Sequence, residues 1–164
     1  MATKQNAMGG RRPSGLRLDA RLISLVLVAA GLLVSGYLSY VKATGVPMAC
    51  TGEMFNCGTV QNSDYSELFG VPIAYLGFMT YVVIGGLILL QDRWAFLREN
   101  GIVLLFGVVL FAWLYSMYLI YVQGVILQAW CQWCLTHEAI ITVLFGATIW
   151  RLNRFLADEE AESV

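Results

Sequence analysis

The stretch AWCQWCLTHE, residues 129–138, carries two cysteines three apart, two tryptophans, the chain's one histidine and a carboxylate. The spacing CxxC lets a helix hold either a dithiol or a disulfide with little rearrangement. At a helix N-terminus the positive end of the dipole favours the thiolate of Cys131, and thiolate attack on a disulfide is how electrons pass between cysteine pairs. A second pair, Cys50 and Cys57, opens the segment CTGEMFNCGTVQNSDYSELFGVP, with six residues between the sulfurs. Cysteines so close can pair, and Gly52 and Gly58 supply backbone freedom for the pair to open, close and reach another sulfur. One pair on a loop and one on a helix suit a two-electron relay, the loop pair meeting a partner while the helix pair faces inward.

Three further features stand near CQWC. His137 lies one turn beyond Cys134 and can share its helix face. Glu138 is a carboxylate near a hydrocarbon boundary, where such groups usually face a bundle interior or water. Phe111, Tyr115 and Tyr118 recur at helical spacing in the outer half of an apolar run, forming either a core stripe, an aromatic belt or the wall of a pocket for a ring-shaped ligand. Each has a bland counterpart: His137 as a packing residue, Glu138 as an interfacial one, the cysteines as two static disulfides or a four-thiolate zinc site. A c-type haem site is excluded because Leu135, not histidine, follows Cys134.

The elements that must position these residues are membrane helices. Of the 164 residues 59% are hydrophobic and 13% charged, well outside the make-up of soluble domains. Residues 22–41, 71–90 and 101–122 contain no charge, and each can cross about 30 Å of hydrocarbon at about 1.5 Å per residue. The apolar run 139–150 is too short to span unless extended backward, and twenty residues back from Trp150 lies Cys131. The fourth span is therefore predicted over 131–150, with CQWC at an interface and Trp130 and Trp133 in its aromatic belt. Gly31, Ser35, Gly85 and Gly86 read as close-packing positions. A cleaved leader is the rival for the first span, but its apolar run exceeds the roughly 7–15 residues of a leader's core.

Nine of the ten basic residues flank one side: Lys4, Arg11, Arg12, Arg17, Arg21, Arg93, Arg98, Arg151 and Arg154. By the positive-inside rule both termini are cytoplasmic, and the loop 42–70 and all four cysteines face outward, where disulfides form and persist. Residues 1–21 read as a basic cytoplasmic tail, 22–152 as the membrane domain, and 153–164, with DEEAES, as an acidic cytoplasmic tail. Within the outer loop, residues 64–69 are predicted to form a short flat helix stopped by Gly70 and Pro72, with Leu68 and Phe69 dipping into the interface. The fold class expected is an all-α integral membrane protein, a four-helix bundle with an extracytoplasmic capping loop.

Taken in order, the loop pair, Ser63 a few residues later, LFGVP leading into the second span and CxxC at the head of the fourth resemble the vitamin K epoxide reductase family in its bacterial form, over roughly residues 20–152. The resemblance implies a four-helix bundle around a quinone of the menaquinone, ubiquinone or phylloquinone type. It implies that Cys131 exchanges with the loop cysteines, that Cys134 stands nearest the quinone, and that Ser63 supports the loop. Some bacterial members carry a fused thioredoxin-like domain, and its absence here implies a separate extracytoplasmic thioredoxin-fold partner. The activity implied is thiol:quinone oxidoreduction supporting disulfide formation in exported proteins, at the plasma or inner membrane. The second activity is reduction of vitamin K epoxide, and the non-enzymatic alternative is a membrane scaffold with structural disulfides.

Overall fold

A computed structural model of the chain describes residues 14–52 and 55–162. Much of the expected basic tail, with Lys4, Arg11 and Arg12, lies outside the described residues. Four long helices are present: α1 (Ser14–Thr44), α3 (Ile73–Leu90), α4 (Ala95–Tyr121) and α5 (Gln132–Glu162). Between α1 and α3 come a short helix α2 (Cys57–Gln61), a 3₁₀ turn (Asp64–Ser66) and a hairpin of β1 (Glu67–Leu68) with β2 (Val71–Pro72). The spans themselves are Ala20–Thr44, Ile73–Leu90, Asn100–Ile126 and Gln132–Ala157, each long and apolar enough to cross a membrane. The protein is a multi-pass membrane protein built as a helical bundle. Helix α1 begins ahead of its apolar run, and α5 continues past it, so residues 153–162 of the expected acidic tail are helical.

Apolar sequence all round a helix suits lipid but does not say how helices meet. Here α1 packs on α3 and α5, and α4 on α5 and α3, around Tyr81, Ile84, Ile88, Leu105, Val109, Ile141 and Leu144. Close approach comes from small residues. A Cβ at Gly31 would overlap the Tyr81 ring, and one at Gly85 would stand 3.2 Å from Val28 Cγ1. Ser35 is buried, but Gly86 has nothing within 4 Å and takes no part in the packing expected of it. Two hydroxyls inside the spans donate back to the preceding turn, Ser35 to the Gly31 carbonyl at 2.6 Å and Thr148 to the Leu144 carbonyl at 2.8 Å, so neither needs a lipid partner.

Polar contacts tie each end. At one end Arg21 pairs with Asp92, and Arg151 donates to Gln91 Oε1 at 3.1 Å. At the other, Lys42 at the close of α1 donates to the Gln61 carbonyl at 2.9 Å and to Ser66 Oγ at 3.2 Å, with the Glu67 carboxylate 3.3 Å away.

The capping loop departs from expectation in where its helix lies. Residues 64–66 form only a 3₁₀ turn, 67–68 are extended and Phe69 enters a tight turn, and the short helix is α2, which begins at the loop cysteine Cys57. Asn56 starts it by accepting the Thr59 N–H at 3.2 Å. Phe69 and Gly70 have φ of 52° and 78°, the two left-handed residues that a two-residue hairpin turn demands, so the glycine closes a hairpin where a helix stop was expected. Phe69 is 98% exposed at that tip.

Candidate dithiol centre and its cavity

Cys50 and Cys57 are joined in a disulfide, with Cα atoms 6.4 Å apart. Cys50 is partly exposed, whereas Cys57 is 2% exposed. Cys131 and Cys134 are free thiols, the first fully buried and the second half-buried. The loop is seated on the helix that carries them. The Asn56 N–H donates to the Trp130 carbonyl at 2.9 Å, within a parallel bridge between Phe55 and Trp130. The two residues inside CxxC hold the loop from the other side: Gln132 Oε1 accepts from the Thr51 hydroxyl and N–H, and Trp133 Nε1 donates to the Ala49 carbonyl at 2.8 Å. Trp133, expected only in an aromatic belt, therefore also clasps the loop, its ring 4.6 Å from that of Tyr37.

Cys131 stands in the capping position of α5. Its carbonyl accepts the Leu135 N–H at 2.9 Å, and its sulfur accepts the Cys134 N–H at 3.3 Å. The Cys134 thiol's hydrogen bond, assisted by the backbone N–H groups of Cys134 and Trp133 and opposed by burial, holds the Cys131 thiol below the ordinary cysteine range. Its backbone is fixed by a residue that sequence reasoning did not single out. Helix α4 ends in a π-helical turn, Val122–Ile126, which turns Gln123 inward. Gln123 accepts the Cys131 N–H on its side-chain oxygen at 3.1 Å and the Ala129 N–H on its carbonyl at 3.0 Å. Turns of this type recur at functional sites because they re-aim one side chain within a continuous helix.

Beside Cys134 lies a cavity of about 510 Å³, walled by α1, α3, α4 and α5 and roofed by the capping loop. Cys134, His137, Glu138, Phe111, Tyr115 and Ser63 all line it, and Cys131 does not. Tyr118 is not in its wall: it lies about 60° round the helix from Tyr115, is 46% exposed, and touches the site only through the Tyr115 ring at 6.0 Å. Ser63 donates to the Val60 carbonyl at 2.8 Å and so binds the end of α2. Gln123 lines it too, and two further residues in the wall were not expected. Gln61, the last residue of α2, donates to Cys134 Sγ at 3.9 Å. Tyr81, from the middle of α3, meets the His137 ring edge-on with centroids 5.5 Å apart.

The wall is mostly apolar, but the Tyr81 hydroxyl and Glu138 Oε2 are buried without hydrogen-bond partners. A flat apolar ring bearing oxygens fits both features. The quinone that the sequence resemblance implies has that chemistry, and Phe111, Tyr115, Tyr81, His137 and Glu138 are the residues that would hold it.

Comparison with known proteins places these features. The model of the vitamin K epoxide reductase family matches residues 22–149. The thiol-disulfide oxidoreductase LTO1 of Arabidopsis thaliana is 32% identical over 123 residues, covering 72% of this chain and 33% of that protein. The chain thus spans about a third of the length of that relative.

Proposed function

The chain belongs to the vitamin K epoxide reductase family, and on that premise we propose that it is a membrane thiol:quinone oxidoreductase that supports disulfide formation outside the cytoplasm. Electrons enter at Cys50/Cys57 from a separate thioredoxin-fold protein, pass to Cys131/Cys134 and leave to a membrane quinone. The observation that carries the reading is the division of labour within CxxC. Cys131 follows the residue that is hydrogen-bonded to the loop, and Cys134, three residues later, lines the cavity.

The direction of each step follows from burial and reactivity. Cys50 is the more accessible loop sulfur, so the partner's thiolate attacks there and releases Cys57. Cys57 is buried on the side where the loop meets Trp130, and it is the sulfur that exchanges with Cys131. Oxidation of the Cys131/Cys134 dithiol then yields two electrons, for which a bound quinone supplies the acceptor. Gln61, Tyr115 and the roof of the cavity exclude water from Cys134 while this occurs. A purely structural role for the cysteines sits poorly with Cys131 and Cys134 as free thiols.

The basic residues described at the inner ends, among them Arg21, Arg93, Arg98, Arg151 and Arg154, support a plasma or inner membrane orientation with both termini cytoplasmic and all four cysteines outside. The test is the purified chain supplied with a reduced thioredoxin-fold protein and a naphthoquinone. Quinol formation that requires both, and that disappears in Cys134→Ser, supports the proposal. Turnover with vitamin K epoxide but not with the quinone would move the assignment to epoxide reduction.

A further inference from the structure

The two unpartnered polar atoms in the cavity wall differ from the rest of its surface. Tyr81 is 1% exposed and Glu138 4%, and both sit in the wall that Cys134 shares. No protein group supplies the missing partner, and a lipid tail cannot, so each atom is placed to meet an oxygen of whatever occupies the cavity. Both are also firmly placed. Gly31 leaves the gap that the Tyr81 ring fills, and the His137 ring abuts it edge-on. Glu138 lies one helical turn beyond Cys134 on the same face of α5, and its Oε1 is 3.7 Å from His137 Nδ1. The titratable groups that share the cavity are thus Tyr65 from the capping loop, Tyr81 from α3, Tyr115 from α4, and Cys134, His137 and Glu138 from α5.

We infer that Tyr81 and Glu138 form a proton-delivery pair for the acceptor: the Tyr81 hydroxyl donates a hydrogen bond to one ring oxygen, and Glu138 carries to that oxygen the proton released by Cys134. The inference rests on the quinone-reducing reading above. Closing the Cys131–Cys134 disulfide breaks two S–H bonds and releases two electrons and two protons. The acceptor ring takes both electrons. The Glu138 carboxylate takes the Cys134 proton and passes it on, while the Cys131 proton leaves to the outer aqueous side, which supplies the second ring oxygen. Glu138 is on this view a catalytic residue, and Tyr81 one that binds and orients.

The experiment uses the full chain in detergent with a short-chain 1,4-naphthoquinone, comparing wild type, Tyr81→Phe and Glu138→Gln after thermal unfolding has shown each to be folded. Binding is read by tryptophan fluorescence quenching, the hydrogen bond by the infrared ring-carbonyl band of the bound quinone, and proton delivery by the rate of quinol formation in a single anaerobic turnover. Tyr81→Phe should bind about tenfold more weakly, with the carbonyl band moved toward its free position. Glu138→Gln should keep wild-type affinity but form quinol about a hundredfold more slowly, and Glu138→Asp should recover part of that rate. Wild-type binding and rates in both variants overturn the pair alone. Equal losses of affinity and rate in Glu138→Gln overturn proton carriage, and a wild type that neither binds nor reduces the quinone overturns the reading beneath it as well.

Discussion

The backbone N–H of Asn56 donates to the carbonyl of Trp130 at 2.9 Å, and the residue that follows each is a cysteine. One hydrogen bond therefore ties the residues that immediately precede Cys57 and Cys131, beside the parallel bridge of Phe55 with Trp130. Both sulfurs are sheltered from solvent.

The pairing predicts which mixed disulfide can be trapped. In Cys50→Ala/Cys134→Ala, mild oxidation should join Cys57 to Cys131 in most molecules, read by mass spectrometry of the linked peptides. In Cys57→Ala/Cys134→Ala, a Cys50–Cys131 link should be scarce. The opposite pattern would reassign the internal step to Cys50.

The Cys131 thiol titrates below the ordinary range chiefly because of the Cys134 thiol's hydrogen bond. A lowered pKa means thiolate at lower pH, so labelling of Cys131 by a small alkylating reagent should rise with pH earlier in the wild type than in Cys134→Ala. At neutral pH the variant should label more slowly, and the two rates should converge at high pH where both thiols are ionised. A variant curve unchanged or displaced toward lower pH would mean that the Cys134 thiol does not hold the Cys131 pKa down.

Lys42 fastens the roof of the cavity to the end of α1 through the Gln61 carbonyl, Ser66 and Glu67. Lys42→Met keeps the apolar stem and should weaken the roof by about 2 kcal/mol, seen as faster amide hydrogen exchange over residues 57–68. Glu67→Gln should cost no more than about 0.5 kcal/mol, because the carboxylate is nearly half exposed and screened. Equal effects would make the ion pair, not the carbonyl contact, the fastening.

Much of this design could be read from the residues. Charge-free windows marked three spans, and the shortness of 139–150 forced the fourth back to CQWC, where α5 does begin at Gln132. Both cysteine pairs were evident from spacing. Tyr81 was not, because α3 is apolar on every face and nothing in its pattern distinguishes the side that meets α1 and α5. Gln123 falls just past the expected span 101–122, and the π-helical turn that aims it inward depends on packing rather than on local propensity. A lone amide at the end of an apolar run was the available signal. The cap was misplaced for a different reason. Gly70 and Pro72 punctuate a helix end and a hairpin equally well, and Lys42 holds Glu67 in the extended state.

The same packing separates two glycine substitutions. Gly31→Ala would drive a methyl group into the Tyr81 ring and should cost about 1–3 kcal/mol in unfolding free energy. Gly86→Ala meets nothing within 4 Å and should lie within about 1 kcal/mol of the wild type on the favourable side, through helix propensity. Unfolding in detergent followed by circular dichroism compares them. A harmless Gly31→Ala would show that Tyr81 is free to move.

The central claim is that the Cys131/Cys134 dithiol itself reduces a quinone, and it is tested most directly by counting thiols against quinol in the Cys50→Ala/Cys57→Ala chain. That chain, fully reduced and given a naphthoquinone without oxygen, should lose the Cys131 and Cys134 thiols together and form one quinol for each disulfide gained. Quinone shown to be bound while both thiols persist, or thiols lost without quinol, would contradict direct transfer from this pair.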